Sequence, residues 1–184
     1  MNDSQTTWAA QDAPGAPGIP PTWTSSAKDL IGTSLGPSRV WFTLGYGIVN
    51  EIYYPRVDLP QVRDLGFIVA DEKGAWYEVK RLANYRVFMA ATGVPAATVI
   101  HSHDRFELTL RIVASPQRDV LLVDVHLDGD ADLTPYALLA PHLGGTGWDN
   151  TAGTGQHYSR KVLWAEQGPF GLALAAVDGV QTDA

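Results

Sequence analysis

Alternation of apolar and polar residues is the main pattern in the second half of the chain. In RFELTLRIVAS, residues 105–115, apolar residues alternate with Glu, Thr and Arg from Phe106 to Ile112. DVLLVDVHLDG, residues 119–129, repeats the alternation after the turn-forming sequence SPQRD. Because successive side chains of a β-strand point to opposite faces of the sheet, this period of two predicts two strands that each bury one face.

Other short β-rich runs are separated by turn residues. GFIVAD (66–71) and GAWYEV (74–79) predict a hairpin, because the sequence DEKG supplies a turn with glycine near its end. KVLWAEQ (161–167) and FGLALAAV (170–177) predict a second hairpin, joined at a Gly-Pro pair. Further strands are predicted at 97–104 and 133–143, and a long Gly-rich loop at 144–156.

Helical patterns are weak throughout the chain. Segment 79–92 fits neither period clearly, and 25–32 has room for a single helical turn. Short strands with turn signals about every ten residues predict an all-β antiparallel sandwich. Residues 1–22 are rich in Ala, Gly and Pro, which predicts an irregular arm. The sandwich domain is therefore expected over 23–184.

The composition narrows the range of functions. The chain has 184 residues, of which 45% are hydrophobic and 18% charged, as in a globular domain that buries a core. Its formal net charge of −7 at pH 7 argues against nucleic acid and anionic membranes as partners, because both bind clustered Lys and Arg. The absence of cysteine excludes disulfides, thiolate metal sites and Cys nucleophiles.

The first residues contain neither the basic segment nor the apolar segment of a signal peptide. No apolar run approaches the roughly 20 residues that span a membrane. A soluble protein is expected, and the cytoplasm is the favoured compartment, with an exported parent protein left open. Walker and dinucleotide glycine patterns are also absent, so no nucleotide cofactor is predicted.

The stretch WFTLGYGIVNEIYYP, residues 41–55, is rich in aromatic residues and carries one formal charge, Glu51. Such a segment suits a core, a sugar-stacking surface or an interface with another domain. Because buried charges are usually paired, Glu51 is predicted to pair with an arginine. The candidate partners are Arg39, Arg56 and Arg63.

Histidines occur in two patterns with potential chemistry. His101 and His103 lie two residues apart on a predicted strand, which puts both rings on one face, as a metal pair requires. No third ligand is identifiable, so a polar strand face is preferred and no metal is predicted. His142, Trp148 and Asp149 belong to HLGGTGWDN, whose rings and planar polar groups suit a sugar contact. A flexible surface loop is the alternative there.

A long segment resembles a known family. APGAPGIPPTWTSSAKDLIGTSLGPSRVWFTLGYGIVNEIYYPRVDLPQVRDLGFIVAD is similar to the N-terminal domain of bacterial GH15 glucoamylases and glucodextranases. Weaker similarity continues to about residue 177. The resemblance implies a galactose mutarotase-like β-supersandwich, in agreement with the strand pattern. The residues that carry it are Trp23, Lys28, GTS at 32–34, VWFTL at 40–44, EIYYP at 51–55, Asp58 and RDLGFIVAD at 63–71.

The resemblance also implies how this chain relates to catalysis. In that family a helical (α/α)6 barrel follows the β-domain and carries both catalytic glutamates, so no catalytic residue is expected here. The parent protein would be an inverting α-glucan hydrolase, with a general acid and a general base on opposite faces of the bond. Its barrel and its glucan substrate are the expected partners. The β-domain is expected to be an incomplete copy, truncated at its C-terminus, with an exposed sheet edge.

Residues 41–55 are then interpreted as part core and part interface with the barrel. A period of two places Trp41 and Thr43 on one face and Phe42 and Leu44 on the other, as in a strand covered on both faces. Exposed aromatic residues beside an arginine are typical interface anchors. The predicted interface residues are Trp41, Tyr53, Tyr54, Arg63 and Asp64.

Two other functions stay open. A free-standing carbohydrate-binding module would need an exposed aromatic platform, for which Trp76, Trp148 and Trp164 are candidates. The strand core is nevertheless the preferred place for Trp76 and Trp164. A mutarotase-like epimerase would use a histidine as general acid and a carboxylate as base, and it rests on fold analogy alone.

Overall fold

The computed structural model describes residues 7–9, 22–158 and 160–177, the first three as backbone only. Two short 3-10 turns lie at Val79–Arg81 and Leu143–Gly145. The strands are β1 Thr7–Ala9, β2 Leu30–Thr33, β3 Trp41–Gly45, β4 Ile48–Tyr53, β5 Pro60–Asp71, β6 Trp76–Glu78, β7 Tyr85–Ala91, β8 Val94–His103, β9 Phe106–Ala114, β10 Leu121–Gly129, β11 Leu133–Pro141, β12 Thr151–His157, β13 Arg160–Gln167 and β14 Phe170–Leu174.

The strands form three antiparallel sheets. The long sheet has the order β11-β5-β4-β3-β2, and β6 pairs with the last part of β5. The facing sheet has the order β10-β9-β8-β7, and the small sheet has the order β1-β12-β13-β14. Side chains of the long sheet and the facing sheet share one hydrophobic core. The predicted all-β antiparallel sandwich is therefore confirmed.

Strand β9 shows how the sequence pattern generates this core. Phe106, Leu108 and Leu110 are buried, and the residues between them are more exposed. They share the core with Phe42 and Leu65 of the long sheet. Burying a side chain of this size stabilises the fold by roughly 1.5–3 kcal/mol relative to leaving it exposed. The alternation therefore determines which face of the strand packs on the other sheet.

Both predicted hairpins are present, as β5–β6 and β13–β14. In the first, the amide of Asp71 donates to the carbonyl of Ala75 at 2.9 Å, which closes the turn. The segment without a clear period, 79–92, contains a 3-10 turn followed by β7. Segment 25–32 leads into β2 instead of forming a helical turn.

Residues 41–55 contain a hairpin, β3–β4, in place of one strand covered on both faces. Tyr46 and Gly47 form the two-residue connection, with φ angles of 56° and 70°. Left-handed φ at both central residues is the requirement of a type I′ turn, which matches the twist of the flanking strands. Phe42 and Leu44 are fully buried on the core face, as the period of two predicts.

The predicted Gly-rich loop at 144–156 is partly wrong, because β12 occupies its second half. Gly153 lies opposite Trp164 of β13, and a Cβ at position 153 would approach the indole Cζ2 to 2.9 Å. The glycine that suggested a loop thus allows an indole to pack across the strand. In the predicted arm, Thr7–Ala9 extends this sheet as β1, and residues 1–6 and 10–21 lie outside the described residues.

The prediction that His101 and His103 lie on a polar strand face is wrong. They oppose Leu108 and Phe106 in the ladder and therefore face the core. His101 is fully buried, and its Nε2 lies 2.7 Å from the carbonyl oxygen of Gly47. Burial lowers the pKa of His101, so the neutral ring donates this bond. A neutral imidazole can be buried in a core when its N–H has a backbone acceptor. The sequence pattern does not indicate that the Gly47 carbonyl is that acceptor.

Candidate functional site

Two β-bulges redirect side chains on the face of the long sheet that is remote from the facing sheet, called the outer face below. Between β3 and β4 the register shifts, so that Asn50 and Glu51 together oppose Thr43. Between β5 and β11 the register shifts again, and Arg63 has no partner on β11. A bulge adds one residue to one strand and re-aims the neighbouring side chains. The polar residues buried in this region are Thr43, Asn50, Glu51 and Asp64.

Residues 23–29 cross the outer face and cover the first bulge. The amide of Asp29 donates to the carbonyl of Leu44 at 2.8 Å, which ties this segment to β3. The carbonyl oxygen of Ala27 would lie 3.0 Å from a Cβ at Gly45, so the segment runs directly on the strand backbone. The polar side chains of the bulge are therefore buried under the chain that precedes β2.

Glu51 is held as an ionised group by three neighbours. Thr24 Oγ1 donates to Oε1 at 2.6 Å, and Thr43 Oγ1 donates to Oε2 at 2.7 Å. Lys28 Nζ lies 2.5 Å from Oε2. Burial raises the pKa of Glu51, but the hydrogen bonds from these three residues outweigh burial and the net pKa is lowered. The prediction of an arginine partner is wrong, because the partner is Lys28. No signal in the sequence indicates that residues 23–29 lie over β4.

A pocket of about 240 Å³ lies next to the Glu51 network. Ile48 of β4 contributes to its lining, and the residues that follow Trp23 form another side of it. We call it the Trp23 pocket. The side chains of Trp23 and Tyr46, which both line it, are 42% and 49% exposed. Its polar lining residues include Asn50, Arg63, Asp64 and Lys80.

Asp64 is a buried carboxylate with distant counter-charges. Its Oδ2 lies 3.5 Å from Lys80 Nζ and 3.9 Å from Arg63 Nε. The second distance is too long for a hydrogen bond. Arg63 Nε is buried and has no hydrogen-bond partner among the described residues. Because buried donors are normally satisfied, this unpaired N–H is an exception among the polar groups of the region.

His142 packs against Trp23, one of the residues that line the pocket. Its ring is 4.7 Å from the Trp23 ring in an edge-to-face arrangement, and its backbone amide donates to Gln61 at 2.9 Å. Burial and the positive charge of Arg63 lower the pKa of His142, whereas Asp64 raises it, and the net shift is downward. The neutral ring thus fixes the Trp23 indole by packing.

The other two predicted sugar-contact residues are placed differently. Trp148 is 59% exposed and Asp149 is also exposed, with a left-handed φ of 58°. No hydrogen bond or ring contact of the described residues joins them to His142. The structure therefore brings His142 to Trp23, Arg63 and Asp64, a combination that the spacing in the sequence does not indicate.

The predicted interface residues divide into two groups. Trp41 and Tyr53 oppose each other on β3 and β4 and are partly exposed on the outer face, where Arg63 and Asp64 also lie. Tyr54 packs against the core. The residues around Tyr54 form a brace between the sheets, in which Arg39 donates to the Tyr54 hydroxyl at 2.5 Å and to Asp119 at 2.7 Å.

Exposed apolar residues continue along the outer face. Trp76 opposes Ala70 and is 61% exposed, which corrects its preferred placement in the strand core. Tyr136 opposes Ile68 and is 54% exposed. Trp164, in contrast, is partly buried on Gly153, as expected for a strand residue. The outer face thus combines exposed aromatic rings with the redirected polar groups.

Comparison with known proteins identifies the family. The family described as "Glucodextranase, domain N" matches residues 13–183. The chain belongs to this family. A crystal structure of a bacterial glucoamylase complexed with acarbose superposes on this member of the family with a TM-score of 0.79 and 26% identity, over 90% of the chain. A glucoamylase of Clostridium sp. (strain G0005) is 44% identical over 62 residues, or 33% of the chain. The resemblance to an N-terminal glucoamylase domain is therefore confirmed.

This domain N spans a minor part of the proteins that it matches. It covers 25% of the solved glucoamylase chain and 9% of the Clostridium glucoamylase. Among its described residues, no cluster of three or more His, Asp or Glu is arranged to hold a metal ion. The same residues include no helix long and apolar enough to cross a membrane.

Proposed function

We propose that the chain is the non-catalytic domain N of a glucoamylase-type α-glucan hydrolase. In this proposal it supports the folding of a catalytic (α/α)6 barrel in the same polypeptide and shapes the rim of the active site. The barrel and the α-glucan substrate are its partners. The family match and the likeness to two glucoamylases support the proposal, and the outer face of the long sheet carries it.

The outer faces of the two packed sheets differ in chemistry. The facing sheet carries an exposed charged pair, Arg111 and Asp124 at 2.8 Å, together with one exposed aromatic ring, Phe88, and the aliphatic Leu122. The long sheet carries Trp76 and Tyr136, both more than half exposed. Exposed aromatic residues are enriched at protein interfaces, and charged pairs of this kind are typical of solvated surfaces. The long sheet is therefore the better docking face for the barrel.

Glu51 supports a structural role over a catalytic one. A glycosidase general acid needs a raised pKa so that it holds a proton near neutral pH. The pKa of Glu51 is lowered by Lys28, Thr24 and Thr43 against the effect of burial. Its carboxylate oxygens already accept hydrogen bonds from both threonines. A carboxylate engaged in this way holds residues 23–29 on the sheet and has no proton to donate.

Glucose release tests the proposal. Maltose, maltotetraose and isomaltotriose are incubated with the chain alone and then with the barrel added as a separate polypeptide. We expect no release by the chain alone, and release or a higher melting temperature of the barrel in the mixture. Hydrolysis by the chain alone would contradict the non-catalytic role.

A pair of matched variants tests the docking face. Tyr136 lies on the outer face of the long sheet, and Phe88 lies on the outer face of the facing sheet, with 54% and 45% exposure. We expect Tyr136→Ser to weaken binding of the barrel about tenfold, as the loss of an aromatic anchor does. Phe88→Ser should leave binding unchanged. Equal effects in calorimetric titrations would show that the barrel docks elsewhere.

A free-standing carbohydrate-binding module is the second candidate, because Trp76 is 61% exposed on the outer face of the long sheet. Aromatic platforms of this kind suit the faces of sugar rings. Retention of the chain by insoluble starch, abolished in Trp76→Ala and independent of any barrel, would favour this function over docking.

A further inference from the structure

We propose that the Trp23 pocket binds one pyranose ring, and that this ring is a glucosyl unit. The choice of glucose rests on the proposed function, whereas the choice of a neutral sugar rests on the pocket itself. The pocket lies on the outer face of the long sheet, between β4, β5 and the segment that begins at Trp23.

The size of the pocket suits a single ring. Its volume of about 240 Å³ is below the roughly 300–1,000 Å³ of pockets for drug-sized ligands. One sugar ring fits such a space, and an oligosaccharide would extend out of it. A terminal or free glucosyl unit is therefore the expected occupant.

The aromatic walls provide the apolar part of the site. Trp23 and Tyr46 both line the pocket and remain partly exposed, although large aromatic side chains usually pack more fully. His142 packs edge-on against the Trp23 indole at 4.7 Å and holds its orientation. An oriented indole offers a flat apolar surface on which the C–H face of a sugar packs without ordering a mobile side chain.

The polar walls match a hydroxyl group. Asp64 and Lys80 both line the pocket, and Asp64 Oδ2 lies 3.5 Å from Lys80 Nζ. A hydroxyl group both accepts and donates hydrogen bonds, so it can accept from Lys80 and donate to Asp64. A charge-assisted hydrogen bond of this type is stronger than one between neutral groups.

The charges around the pocket favour a neutral ligand over an anion. Lys80 lies 3.5 Å from Asp64 and 3.4 Å from Glu78, so its charge is shared by two carboxylates. Glu78 also pairs with Arg81 at 2.5 Å, and Asp64 is the carboxylate that lines the pocket. A phosphate or carboxylate ligand would lie against the Asp64 carboxylate, whereas a sugar needs only donors and acceptors.

A titration of the 184-residue chain with D-glucose and maltose tests the site by the NMR signal of the Trp23 indole N–H. We expect a saturable shift with a dissociation constant in the millimolar range, because one small ring offers few contacts. Asp64→Asn, which keeps the shape but loses the charge, should weaken binding about tenfold. Trp23→Phe should retain part of the affinity and Trp23→Ala should lose it. Trp148→Ala, at an exposed tryptophan outside the pocket, should bind as the parent chain does.

The outcomes separate this proposal from the docking proposal. Absence of a saturable Trp23 shift with either sugar, in a chain whose spectrum shows it folded, overturns the sugar site. A shift caused only by the added barrel also overturns it, and assigns the pocket to docking while the proposed function stands. Sugar binding that persists when the barrel fails to dock supports the pocket and removes the docking role. Equal loss of binding in Trp148→Ala would place the sugar elsewhere and overturn the assignment.

Discussion

The carbonyl oxygen of Gly47 and the Nε2 atom of His101 lie 2.7 Å apart and join the two packed sheets. The bond runs from the turn of the β3–β4 hairpin to the interior of the facing sheet. A Cβ at position 47 would lie 2.3 Å from His101 Cε1. The glycine and the buried histidine therefore depend on each other, which makes the stability of the fold sensitive to either one.

Gly47→Ala should destabilise the chain by roughly 3 kcal/mol or more, because strain and a steric clash combine. The φ angle of 70° is unfavourable for alanine, and the new methyl group would displace the His101 ring. Gly93→Ala is the matched control, since φ is 78° there and no atom lies within 4 Å of the added Cβ. Strain alone should cost about 1 kcal/mol in that variant. Equal losses in urea unfolding would show that the contact with His101 is not decisive.

Stability should fall as the pH is lowered through the ordinary histidine pKa of 6.5. Burial lowers the pKa of His101, so the unfolded chain takes up a proton at a higher pH than the folded chain does. This contribution to stability is complete above pH 6.5 and is lost progressively below it. Urea midpoints measured from neutral to mildly acidic pH report the slope.

His101→Gln keeps an N–H for the Gly47 carbonyl and removes the titrating group, so the slope should become flatter. The flattening is partial, because the pKa of His142 is also lowered by burial and contributes with the same sign. His126→Gln changes an exposed position of β10 and serves as the control. An unchanged slope in His101→Gln would show that His101 does not titrate with unfolding.

Glu51→Gln should cost about 3 kcal/mol, because Lys28 then keeps a charge with little access to water. Their side chains are only 9% and 17% exposed. The pKa of Glu51 is lowered by its three donors against burial, so this stabilisation is also lost as the pH falls below the ordinary value of 4.5. Asp58→Asn breaks the exposed pair with Arg56 and should have no measurable effect. Equal effects in urea unfolding would contradict the buried network.

Much of the fold could be predicted from the sequence, because strands such as β9 bury every second residue and turns such as Asp71–Ala75 have turn-forming residues. The glycines of β12 were wrongly interpreted as a loop, because Gly153 makes room for the Trp164 indole within a strand. His101 was misplaced because its acceptor, the Gly47 carbonyl, comes from another strand pair. Both errors arise where a contact distant in sequence overrides the local pattern.

The candidate site could be predicted only in part. Arg63 and Asp64 were expected at an interface, and His142 at a sugar contact, but no spacing indicated that they meet at Trp23. Their meeting depends on β-bulges, whose positions have no signal in the alternation of residues. Trp23 was singled out only by the resemblance to the family, and not as part of a site. Lys28 was likewise unpredictable as the partner of Glu51.

Variants of Tyr54 test whether this residue is an interface anchor or an internal brace. Its ring packs against the core and lies 4.8 Å from the Arg39 guanidinium, which also bonds Asp119. Tyr54→Ala should therefore lower the free energy of unfolding of the chain by about 2 kcal/mol, since it removes a partly buried ring. Tyr54→Phe keeps the ring and should lose less, and it should bind the barrel normally. A Tyr54→Phe chain that unfolds like the parent but no longer binds the barrel would instead make the hydroxyl an interface anchor.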